Sequence, residues 1–80
     1  MIMLQKKPTL IITFATTTQA MAMEAFCHAQ GLPGRLIPVP REITAGCGLS
    51  WKAKPEEKAQ LVDALTKAEM KWQQCHILEV

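Results

Sequence analysis

The run Thr9 to Ala15, TLIITFA, constrains the fold of this chain more than any other segment. It carries no charge and is rich in β-branched residues, which suit a pleated surface and lose rotamer freedom in a helix. It reads as a buried strand. A strand that is apolar throughout fits the centre of a sheet. In a chain of 80 residues, only one modest core can form around it. The run is interrupted by Thr13 and is far too short to span a bilayer.

The segments on either side complete a simple order. Thr16-Thr17-Thr18 offers hydroxyls for a helix N-cap. From about Thr18 to Gln30 the sequence reads as helix, with Ala20, Ala22, Met23, Phe26 and Cys27 expected on one side. Gly31 is placed to end it, with Pro33 shortly after. Arg35 to Val39, RLIPV, reads as a second strand. Pro38 and Pro40 cannot donate to a ladder, so this strand lies at an edge or ends there, guarded against pairing with another sheet. Leu49 to Ala53 alternates as a third strand, antiparallel to the second. Pro55-Glu56-Glu57 marks a helix start, and the helix is expected to run to about Met70 with Ala59, Leu61, Val62, Leu65 and Ala68 on its apolar side. Gln73 to Val80 reads as a last strand, with Cys75, Ile77 and Glu79 on one face and His76, Leu78 and Val80 on the other.

The order β-α-β-β-α-β predicts an α+β, ferredoxin-like two-layer sandwich: a four-stranded antiparallel sheet with both helices on one face. Right-handed crossovers put the first and third strands in the middle. A single domain over residues 1–80 is expected, with an ordered core over about 9–80.

Composition narrows the function classes. Hydrophobic residues make up 49% and charged residues 20%, which is globular rather than disordered. The net charge is +2 with Lys and Arg scattered, and the aromatics are only Trp51, Trp72, Phe14 and Phe26. Neither nucleic acid nor a membrane surface is expected as a partner. The three cysteines, Cys27, Cys47 and Cys75, form neither a CxxC pair nor a zinc-finger spacing. Cys27-His28 and Cys75-His76 are adjacent pairs whose side chains point apart, so no metal site and no cofactor is expected. No secretory signal is evident, which predicts a cytoplasmic protein with reduced thiols.

One segment carries candidate chemistry: Pro38-Val39-Pro40-Arg41-Glu42-Ile43-Thr44-Ala45-Gly46-Cys47-Gly48-Leu49. It sets Cys47 between two glycines, six residues after Arg41. Gly46 and Gly48 leave room beside the sulfur and allow positive φ, so that successive N–H groups can converge on one spot. A thiol there can be approached and held as thiolate, with Arg41 supplying charge if the loop folds back. The plainer reading makes Cys47 a small apolar plug in a turn, with glycines needed for backbone shape. Thr16, Thr17 and Thr18 admit a similar pair of readings, an anion site at a helix N-terminus or simple capping. Cys27 and Cys75 read as small buried hydrophobes.

Phe14-Ala15-Thr16, the helix bearing Ala20 and Glu24, Pro38-Val39-Pro40-Arg41-Glu42-Ile43 and Gly46-Cys47-Gly48-Leu49 together resemble the selenium/sulfur carrier-like proteins, small bacterial and archaeal domains. The resemblance covers roughly Thr9 to Val80, and its specific part is the PxPR…GCG segment. It implies a thiol that accepts sulfur or selenium as a persulfide or selenopersulfide and hands it on. By position Cys47 would be the carrier thiol, with Arg41, Gly46 and Gly48 around it. Donor and acceptor proteins would be the partners, and the protein would be a carrier rather than a turnover enzyme. The Cys-Pro-x-Pro motif of other small sulfur-relay carriers is absent, and Pro38 and Pro40 precede the cysteine instead. The alternative is a small binding or regulatory module that self-associates through an edge strand or the free sheet face, with Cys47 structural.

Overall fold

The structure is a computed structural model and describes residues 7–43 and 47–79. Strand β1 spans Pro8–Thr13, helix α1 Thr17–Gln30, strand β2 Arg35–Pro38 and strand β3 Leu49–Ala53. A 3-10 turn at Pro55–Glu57 leads into helix α2, Lys58–Lys67, and strand β4 is Gln74–Glu79. The strands form one antiparallel sheet in the order β2-β3-β1-β4. The fold is the ferredoxin-like α+β sandwich, with β1 and β3 central as two right-handed crossovers require.

The register assigns every strand residue to a face. Leu10 pairs with Ala53 and Ile77, and Ile12 with Trp51 and Cys75. These residues look toward the helices. Leu10, Ile12, Phe14, Trp51 and Ala53 form one buried cluster with Ala20, Met23 and Cys27 of α1 and Leu61 and Leu65 of α2. Both helices therefore share one face. Each fully buried aliphatic side chain contributes about 1.5–3 kcal/mol to folding. The other face is buried along its middle as well: Ile11, Thr13 and Ser50 are almost inaccessible. Burial on both faces is why the β1 run tolerates no charge.

Several boundaries differ from the sequence expectation. The first strand ends at Thr13 rather than Ala15, because its last ladder partners, Ser50 and Gln74, lie at the starts of their own strands. The end is pinned there: the Gln74 N–H donates to Thr13 Oγ1 at 3.1 Å and the Gln73 N–H to the Thr13 carbonyl at 2.7 Å. In α1 the buried stripe is Ala20, Met23 and Cys27, with Phe26 half-buried beside it. Ala22 is exposed, since at 100° per residue it sits about 130° round from that stripe. In α2 only Leu61 and Leu65 are buried, and Ala59 and Ala68 face solvent. The outermost strands carry different protection. β2 holds Pro38 at its end and Pro40 just beyond, whereas β4 has no proline and exposes Ile77.

Both helices end in the same hydrogen-bonded device. After α1 the Leu32 N–H donates to the Cys27 carbonyl at 2.9 Å, with Gly31 left-handed at φ 66. After α2 the Met70 N–H donates to the Leu65 carbonyl at 2.9 Å, but the left-handed residue is Glu69, at φ 56. Hence α2 stops at Lys67 rather than near Met70, with no glycine to announce it. An L side chain in this conformation costs about 1 kcal/mol. Glu69→Gly is expected to raise unfolding stability by about 0.5–1 kcal/mol in urea denaturation, with an unchanged m-value.

Gly34 meets a harder requirement. Its φ is 110, and a Cβ there would fall on the Trp51 indole nitrogen and 2.6 Å from the Lys52 carbonyl oxygen. The same indole N–H donates to the Pro33 carbonyl at 3.0 Å. Gly34→Ala is expected to cost about 2–4 kcal/mol, read as an earlier midpoint in tryptophan-monitored unfolding.

Candidate functional site

The connection between β2 and β3 presents the cysteine. Its ladder pairs end at Pro38 with Leu49, and one more bond, from the Val39 N–H to the Gly48 carbonyl at 2.9 Å, keeps the strands together between the two prolines. Pro40 to Ile43 then form a turn closed by the Ile43 N–H donating to the Pro40 carbonyl at 3.0 Å. Arg41 and Glu42 occupy its corners and are exposed, while Ile43 is buried and pins the loop. The chain returns at Cys47. Gly48 follows at φ 76, the left-handed conformation expected of it. A Cβ at Gly48 would meet nothing beyond its chain neighbours, so what the position demands is the backbone angle. Gly46 lies outside the described residues.

Cys47 is half-buried and lies against the helix-side core cluster. Its Sγ is 3.5 Å from the Leu49 carbonyl oxygen, a contact in which a thiol is the donor. The sulfur is thus neither sealed in the interior nor standing free. Among the described residues, no ion pair or hydrogen bond joins Arg41 to it or to Glu42.

The three threonines sort themselves. Thr16 is the N-cap of α1: its Oγ1 accepts from the Gln19 N–H at 3.2 Å. The Gln19 side chain reaches back to the Ala15 N–H at 3.1 Å. A Thr-x-x-Gln spacing is the sequence pattern of a capping box, realised here with Gln19 reaching the N–H one residue before the cap, and it selects Thr16 over its neighbours. Thr17 and Thr18 are exposed in the first turn. The β1–β3 ladder finishes at Thr13 with Ser50, so Phe14 to Thr16 and Cys47 to Gly48 lie beyond the sheet at the same end. The structure therefore brings the α1 N-terminus and the cysteine hairpin to one end of the molecule.

The other two thiols are held differently. Cys27 is 1% exposed, and its Sγ contacts Met23 Sδ at 3.8 Å. Burial pushes its thiol from an ordinary value of 9.0 up to about 11. Cys75 is half-buried on the helix-facing side of β4. Burial raises its thiol too, partly countered by the Lys58 charge and a hydrogen bond from Trp72. His28 is exposed, and His76 lies on the opposite sheet face from Cys75, bonded to Gln74 Oε1 at 3.0 Å. The adjacent Cys-His pairs thus point apart. No helix among the described residues is long and apolar enough to cross a membrane.

The molecule is thus an α+β sandwich with a half-buried thiol on the turn between its second and third strands. Across residues 9–77 the chain matches the family described as "Putative Se/S carrier protein-like". The chain belongs to that family. Comparison with curated proteins gave no match, and comparison with solved structures gave none either.

The Cys27 thiol makes stability depend on alkaline pH. In the unfolded chain it ionises near 9.0, and in the folded chain near 11. A raised folded value contributes stability that is complete below pH 9 and is lost as pH rises toward 11. The loss attributable to Cys27 is about 3 kcal/mol. Urea midpoints measured from pH 8 to 11 should fall for the wild type and flatten by that amount in Cys27→Ala.

Proposed function

We propose that the protein carries sulfur or selenium on the Cys47 sulfur between a donor and an acceptor protein. The observation behind this reading is the contrast among its thiols. Cys27 is locked in the core and Cys75 lies within a strand, while Cys47 sits on a turn outside the ladder with part of its surface in solvent. Family membership supplies the chemistry that such a thiol would perform.

In the transfer, the Cys47 thiolate attacks the outer sulfur of a donor persulfide. The donor's S–S bond breaks, the donor leaves as its thiolate, and a Cys47 persulfide forms. The acceptor's nucleophile then takes the terminal sulfur and Cys47 returns as thiolate, so no net oxidant is needed. A selenium atom follows the same path through a selenopersulfide. To load, the sulfur turns from the Leu49 carbonyl, a donor-type contact that an anion cannot keep. The Gly48 N–H and the Arg41 guanidinium belong to the same hairpin and are the groups that would stabilise the charge. The free N–H groups of the α1 first turn, at Thr17 and Thr18, lie at the same end and add favourable potential. The reduced cytoplasm suits such a thiol, and the role is carriage rather than turnover.

Incubation with a cysteine desulfurase and cysteine, followed by mass spectrometry, tests the assignment. A gain of one sulfur atom is expected in the wild type, Cys27→Ser and Cys75→Ser, removable by dithiothreitol. Cys47→Ser should stay unmodified. The same labile gain in Cys47→Ser would remove this residue from the role.

A further inference from the structure

The end of the sheet away from Cys47 carries a second feature that the thiol does not use. β2 begins there, β3 ends there and β1 starts there. A surface hollow of about 460 Å³ opens between them, rimmed by Lys7, Arg35, Lys52 and Lys54 over a floor that includes Pro8, Pro33 and Ala53. One acid, Glu57, reaches the rim, and its Oε1 is occupied by the Lys54 backbone N–H at 2.8 Å. Four of the chain's nine basic residues thus share one site. None of the four makes an ion pair among the described residues.

The register sharpens this. Arg35 and Lys52 are direct cross-strand partners on the sheet face turned from the helices. Like charges directly opposite one another destabilise a sheet. A chain that keeps such a pair, with two further lysines beside it, breaks a local rule of sheet construction. An anion seated between the strands removes the penalty. The hollow is shallow and its cations are long side chains, mostly exposed, so it suits an extended anionic segment rather than a caged small ion. No Phe, Tyr or Trp lies on this sheet face in β1 to β4, and its one ring, His76, is two strands away from Lys52, so there is no run of aromatic side chains on which successive bases would stack.

We infer that the hollow at the Arg35–Lys52 end docks an acidic segment of a partner protein. From Lys52 to Cys47 is about 15 Å at ~3.3 Å per strand residue. A partner held at one end can therefore lie along the β2 edge toward the other. The docking does not depend on sulfur chemistry, so Cys47→Ser binds the segment as well as the wild type does.

The test is fluorescence anisotropy with a labelled octaglutamate peptide at low ionic strength. The double variant Arg35→Gln with Lys52→Gln should bind about tenfold more weakly than wild type. The charge-matched double variant Lys67→Gln with Lys71→Gln, altered elsewhere, should bind as wild type. Equal loss in both would reduce the effect to net charge and overturn the site. Displacement by inorganic phosphate at equal molarity would replace the proposal with a small-oxyanion site. Tighter binding of single-stranded oligo(U) through the same residues would replace it with nucleic acid. Stability gives an independent readout: Arg35→Gln alone should raise the melting temperature by about 2–4 °C in low salt, an advantage that 0.5 M NaCl erases. A lowered melting temperature would mean that Arg35 serves the fold and would overturn the argument from repulsion.

Discussion

Trp51 is the contact on which the thiol-bearing hairpin depends. Its ring stands in the core between Leu36 of β2 and Ile12 of β1, 3% exposed. Its indole N–H is satisfied by the Pro33 carbonyl, so the one polar atom of a large buried ring is not left unpaired. β2 is only four residues long and has β3 as its sole strand neighbour. Without Trp51 holding the approach to β2 as well as its middle, little would fix the short edge strand, and the turn beyond it would have no rigid base. Gly34 is the counterpart of this arrangement, because a side chain there would displace the ring.

The antiparallel sheet separates two chemistries. At one end lie the Cys47 hairpin and the α1 N-terminus with its Thr16 cap. At the other lie the four cations around the hollow, none in an ion pair among the described residues. The central strands between them are too buried to relay more than position: Ile11, Ile12 and Ser50 are inaccessible from either side. A rigid spacer of this kind allows a partner to be gripped in one place while its reactive group is offered in another. It also means that charge changes at the basic end leave the environment of the sulfur untouched, since about 15 Å exceeds the Debye length at physiological salt.

Much of the architecture is legible in the sequence because it rests on local signals. The uncharged β1 run, the Gly31 stop, the Pro55 start and the prolines beside β2 each act on the chain where they stand. The parts that are not legible depend on distant residues. Glu69 stops α2 in a left-handed conformation that its side chain disfavours, because the chain must turn toward β4 and Met70 can close onto Leu65. Gly34 looks like any loop glycine until the fold sets Trp51 beside it. Arg35 and Lys52 are separated by a long loop and become neighbours only through the register. At the site, the sequence isolates Cys47 and allows the positive φ that Gly48 adopts. It does not reveal that the sulfur rests against the core with a carbonyl for company.

That resting contact gives the three thiols distinct physical standing. Cys27 has a thioether neighbour and is buried in the core, so ionisation there is opposed by the interior itself. The Cys75 thiol is raised by burial, with Lys58 and Trp72 acting the other way, and it lies within a strand paired along its length with β1. Cys47 lies outside the ladder. Its partner is a carbonyl two residues away, and its neighbour Gly48 already occupies a conformation free of side-chain penalty. A rotation about one side-chain torsion moves the sulfur from the Leu49 carbonyl toward solvent. The cost is one weak sulfur–oxygen contact and part of a small apolar surface. The carrier role proposed for Cys47 calls for this property: a sulfur held by the protein when empty and released by a small motion for loading.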